Sequence, residues 1–171
     1  MPSWLATVLE LAHRVTRRAD PLVGPLVRSI NALTGWGSRR LAWRLWLSAV
    51  GLTGAWLALR SQADGLSGGL LFDAALQGVF VWATLLLLGS ALATPSDRVS
   101  LAGTLLRFVA LISVTGGVLG LLGEPGLIAV VYLGRGVVEL GAAWAATTQL
   151  PEGRVRVGRP ALLPAVARSR R

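Results

Sequence analysis

The sequence predicts an all-α fold: a polytopic membrane protein, a four-transmembrane-helix bundle with an N-terminal amphipathic interfacial helix and a disordered basic C-terminal tail. Three observations carry that reading. The 171 residues are 53% hydrophobic and 15% charged, with a mean hydropathy of +0.62, a balance far from that of a soluble domain. Long apolar stretches recur, each near the roughly 20 residues that cross a hydrocarbon core of about 30 Å. The basic residues cluster beside those stretches at both ends of the chain, as they do where a membrane protein fixes its cytoplasmic side.

Residues 1–40 form a cytoplasmic amphipathic segment. At about 100° per residue, Trp4, Leu5, Val8, Leu11, Ala12 and Val15 share one face, opposite Glu10, His13, Arg14, Arg17 and Arg18. Such a helix suits the headgroup layer or the ends of a helical bundle. It also resembles a mitochondrial presequence, from which the acids Glu10 and Asp20 depart. No secretory signal pattern is expected, because Glu10 and His13 interrupt the apolar run. Pro21 to Pro25 predict a break, after which Leu26 to Thr34 form a second short piece that ends at Gly35. Trp36, Trp43 and Trp46 supply an aromatic belt at the cytoplasmic surface.

The transmembrane domain covers 41–148, with spans at 41–59, 70–93, 101–123 and 126–148. Their apolar residues surround each helix, without the alternation of barrel strands. Arg60 to Gly65 make the first connection, Thr94 to Arg98 the second, and the short Gly123-Glu124-Pro125-Gly126 forces an antiparallel hairpin. Arginines Arg14, Arg17, Arg18, Arg28, Arg39, Arg40 and Arg98 lie on one predicted side with those of the tail, and Arg60 on the other, so both termini are expected in the cytoplasm of a bacterial inner membrane. Arg44 can snorkel back to that surface. In the tail, 151–171, Arg154, Arg156, Arg159, Arg168, Arg170 and Arg171 accompany proline and small aliphatics, too little apolar area to fold alone. Anionic lipid is the expected partner of Arg14, Arg17, Arg18, Arg39, Arg40, Arg154, Arg156 and Arg159, together with other membrane subunits or a second copy of the chain. The net charge of +9 serves orientation in this reading, and no nucleic-acid partner is expected.

Most enzyme chemistry lacks its reagents. There is no cysteine, one histidine and no lysine, since all 17 basic residues are arginine, which removes thiol, Schiff-base and thiolate or histidine metal chemistry. No cofactor and no metal are expected. Gly65-Leu66-Ser67-Gly68-Gly69 fits the Gly-x-Ser-x-Gly nucleophile pattern, and its start resembles the Gly-x-Ser-Gly of rhomboid-type intramembrane proteases. No histidine follows Ser67 to take its proton, and four spans are fewer than a rhomboid core needs, so a glycine-rich turn is the reading here. Faint likenesses between the first and third spans, and between the second and fourth, are of the quality chance produces in apolar helices.

The polar residues inside the spans are the candidate site: Asp73, Gln77, Arg107, Arg135 and Glu139. A charged group at the bilayer centre costs about 2.5–3.5 kcal/mol, so these should turn inward and pair. Arg135 and Glu139 are four apart, as are Asp73 and Gln77, which stacks each pair on one helical face. Counting depth from the loops predicts a ladder from Arg107 through Glu139 and Arg135 to Gln77 and Asp73. Small residues Gly116, Gly117, Gly120, Gly123, Gly141 and Ala145 are candidates for close helix packing. The function expected from these features is that of a non-enzymatic accessory, assembly or interaction subunit. The alternative is a small oligomeric transporter or channel that uses the intramembrane charges.

Overall fold

A computed structural model describes residues 3–93 and 101–148. Five helices follow one another: α1 (Ser3–Thr34), α2 (Gly37–Asp64), α3 (Gly68–Ala93), α4 (Leu101–Gly123) and α5 (Leu127–Thr147). The expected second connection at 94–98, with its Arg98, and the whole basic tail at 151–171 lie outside the described residues, as do the side chains of Trp4, Leu5 and Val8.

Helices α3, α4 and α5 are each long and apolar enough to cross a membrane, which fits a membrane protein. Their outward faces agree: Leu71, Phe72, Leu76, Val79, Trp82 and Leu86 of α3 are all exposed, a surface water would penalise and lipid tails would not. Helix α2 is longer, at 28 residues, but falls short on composition because Arg44, Trp43, Trp46, Trp56 and Thr53 dilute the aliphatics of its apolar stretch.

The most extensive packing joins α2 to α5 and α4 to α5. Helix α2 runs antiparallel to α5 along its whole length. At one pole the Ser38 hydroxyl donates to the Thr148 carbonyl at 2.6 Å; further along, Leu45 abuts Gly141; near the other pole the rings of Trp56 and Tyr132 lie 5.3 Å apart. The α4–α5 hairpin closes tightest at Gly117 and Gly136. A Cβ built on Gly117 would sit 2.6 Å from the Leu133 Cα, and one on Gly136 would sit 2.9 Å from the Ser113–Val114 backbone, so only glycine lets these backbones meet. A Cβ built on Gly141 would sit 3.2 Å from Leu45 Cδ1, a third close approach, and Ala145 is fully buried. Gly116 touches the Tyr132 ring at ordinary distance, whereas Gly120 and Gly123 face open space.

Helix α1 departs from expectation. It runs unbroken through Pro21 and Pro25, although each proline removes a backbone donor and crowds the preceding turn. Both prolines are exposed, so the carbonyls they free stay on the open side. The opposite face, with Ala12, Thr16, Val27 and Asn31, is buried on either side of them, and that packing holds the helix together across the kink-prone turn. The stop at Gly35 is as expected, with φ at 63°. Buried Asn31 then accepts the Gly37 N–H at 2.9 Å, stitching α1 to the start of α2.

Two shorter differences concern the loops. Helix α2 continues through Asp64, so the first turn is confined to the residues after it, with Gly65 at φ 69°. Ser67 accepts the Leu70 N–H at 3.2 Å and caps the start of α3. The serine of the nucleophile-like string thus has a structural partner.

Candidate functional site

The bundle carries its polar side chains in three layers along its axis. At the pole where α2 and α4 begin and α5 ends, Arg107 of α4 donates from Nη1 to Asp20 Oδ1 of α1 at 2.8 Å and from Nε to Thr147 Oγ1 at 2.6 Å. The same carboxylate oxygen accepts the Trp144 indole N–H at 2.8 Å, and the guanidinium lies 4.6 Å from the Trp144 ring centroid. Arg107, Trp144 and Asp20 therefore form a clasp that ties α1 to α4 and α5. Charge-assisted bonds and cation–π contact both gain strength where water is displaced, and Trp144 is fully buried.

The middle layer belongs to α5. This helix spans 127–147, and Arg135 and Glu139 straddle its midpoint. Each is only 3% exposed. Arg135 Nη1 donates to Gln77 Oε1 of α3 at 2.5 Å, and the guanidinium lies 4.8 Å from the Phe80 ring and 5.3 Å from the Tyr132 ring. Arg135 Nη2 stops 3.9 Å short of Glu139 Oε2, beyond a hydrogen bond. That carboxylate oxygen is buried and accepts no hydrogen bond from another described protein group. Beside it Ser113 of α4 is buried, as are Trp46 and Thr84, whose indole N–H and hydroxyl join α2 to α3 at 3.2 Å. Gly136, next to Arg135, is what allows α4 to close over this layer.

The third layer lies at the opposite pole. Arg60 of α2 approaches Asp64 at 2.9 Å and Asp73 of α3 at 3.9 Å. These side chains are a third to a half exposed, where an ion pair gains little.

The five residues expected to form one continuous ladder are thus divided. Gln77, Arg135 and Glu139 come together; Asp73 turns to Arg60; and Arg107 turns to Asp20 and Thr147 in place of Glu139. The depth count is close, since the Gly136–Ser113 contact sets Arg107 about level with Ala142. The direction is the correction. Glu139 lies a turn deeper, whereas Asp20 of α1 sits beside Trp144 with 46% of its side chain exposed, where an ion is cheaper to place. Sequence reasoning missed Asp20 as a partner, together with Trp144 and Gly136. A signal for the first existed: Asp20 is the one acid between Glu10 and Asp64 in a segment rich in arginine.

The remaining described basic positions are surface ones. Arg14, Arg17, Arg18, Arg39 and Arg40 are exposed, and Arg14 pairs locally with Glu10. Arg154, Arg156 and Arg159 fall in the tail outside the described residues. Among the described residues, no group of three or more His, Cys, Asp or Glu could hold a metal ion. No family model, curated protein or solved structure matches the chain.

Proposed function

We propose that the chain is a four-span, non-enzymatic subunit of a bacterial inner-membrane complex, with both ends cytoplasmic, acting as an accessory or assembly partner. The observation that carries this reading is the register of α2 against α5. The two helices are paired from Ser38–Thr148 to Trp56–Tyr132, so a membrane thick enough to cover α5 covers α2 as well. Helix α2 is roughly 42 Å long at about 1.5 Å per residue, ample for a span. Four crossings return both ends to one face, the face of Arg14, Arg17, Arg18, Arg28, Arg39 and Arg40.

Helix α1 supports the interfacial part of the reading. Its exposed apolar residues Leu11, Val15, Leu22, Leu26 and Leu33 fall within one narrow sector at about 100° per residue. Arg14, Arg17 and Arg28 fall outside that sector and are exposed. An apolar stripe beside a basic face suits the boundary between headgroups and acyl chains, with anionic lipid beneath the arginines. The arginines of α4 and α5, Arg107 and Arg135, are spent on contacts within the chain, which suits a structural task better than turnover. Partners are then other membrane subunits or a second copy of the chain.

Affinity purification in mild detergent followed by native mass spectrometry tests the reading. A defined larger complex supports it, and a lone monomer with reporter fusions on opposite faces overturns it. A second reading, an oligomeric transporter, draws on the mid-bundle placement of Arg135 and Glu139. Proteoliposome flux that vanishes in folded Glu139→Gln would replace the first reading with the second.

A further inference from the structure

Between α2, α3 and α5 the middle layer leaves a small, half-open void lined by Trp46, Ala49, Thr53, Thr84, Arg135 and Glu139, among others. It leaves about 10 Å³ in which the centre of a water molecule can sit, room for about one. Two features mark it as a site and not a packing flaw. Glu139 Oε2 has no hydrogen-bond partner although its side chain is 4% exposed, and Arg135, at 3% exposed, stands 3.9 Å away from it. An ionic oxygen left bare at that depth costs far more than a hydrogen bond returns elsewhere.

The lining restricts the occupant by charge and by valence. A cation would meet the Arg135 guanidinium, and an anion would meet the Glu139 carboxylate. An apolar guest would leave Oε2 as bare as before. What remains is a neutral molecule of one heavy atom that both donates and accepts.

We propose that this void holds a bound water that accepts from Arg135 and donates to Glu139 Oε2, completing the pair through a bridge. Thr53 supplies a further acceptor: its hydroxyl proton is directed to the Ala49 carbonyl at 3.0 Å, which leaves its oxygen lone pairs available. Three polar partners are the usual complement of a buried water. The 3.9 Å gap is then the width of the bridge, and α5 has no need to distort to bring the two ends together. The inference is independent of which partner the subunit serves.

Crystals of the full chain grown in a lipidic mesophase, with Rb⁺ replacing Na⁺ in a parallel set, test it. The expected map has one ordered peak within hydrogen-bond distance of both Glu139 Oε2 and the Arg135 guanidinium, without anomalous signal in the Rb⁺ set. An empty void, a direct Arg135–Glu139 hydrogen bond, or a rubidium peak overturns the proposal. Ala49→Val supplies a second reading by filling the space without touching either charge. Displacing a bridging water leaves its partners unpaired, so the thermal midpoint should fall by several degrees, whereas a midpoint at or above wild type, as expected for an empty cavity made full, overturns the bridge.

Discussion

The middle layer and the α1 clasp use the same chemistry in different surroundings. Each sets an arginine near a carboxylate and beside aromatic rings. At mid-bundle both charges are almost fully enclosed, while in the clasp Asp20 keeps 46% of its side chain exposed and Arg107 keeps 17%. Burial raises the stakes of the first pair, because a charge that loses its partner there has no water to turn to. The clasp is open to solvent at Asp20, which makes it more sensitive to salt and more tolerant of loss than the enclosed pair. One sets how the spanning helices fit; the other sets how firmly a peripheral helix is held.

That contrast breaks first at Arg135. Arg135→Leu strands Glu139 and should cost about 3–5 kcal/mol, read as a fall in unfolding midpoint in detergent. The double variant Arg135→Leu with Glu139→Leu should recover much of that loss, and a double variant as unstable as the single would remove the distinction drawn here. Gly136→Ala comes next, at about 1–3 kcal/mol, since its Cβ would press on the Ser113–Val114 backbone; Gly120→Ala, facing open space, should leave the midpoint unchanged. Asp20→Asn should cost no more than about 1 kcal/mol and should speed amide exchange in α1 alone, an effect that shrinks in high salt. Uniform exchange across α4 and α5 would instead make the clasp part of the core. The smallest effect is a coupling: a double-mutant cycle should link Asp20 to Arg107 and find little between Arg107 and Glu139.

Much of this architecture was legible in the chain because its signals are local. Apolar runs bounded by Gly123 to Gly126, and the stop at Gly35, placed α4, α5 and the end of α1 within a residue or two. The four-residue spacing of Arg135 and Glu139 put both on one face, and burial follows from that. What stayed hidden depends on distant neighbours. Asp20 and Arg107 are separated by 87 positions, and no periodicity records that α1 lies over the pole where α4 begins. Pro21 and Pro25 read as a break because the rule for proline concerns the backbone alone; Val27 and Asn31, buried beyond them, supply the tertiary packing that overrides it. Gly136 passed unnoticed beside a charged residue, since its value is the absence of a Cβ facing another helix.

The hydrogen bond from Ser38 to the carbonyl of Thr148 fixes where the polypeptide leaves α5. That bond pins Thr148, the C-cap of α5, beside the Gly35–Gly37 elbow between α1 and α2. A fluorophore placed at Thr148 itself would therefore act as a local gauge of that elbow, and its depolarisation would register any swing of α1 without a label on α1.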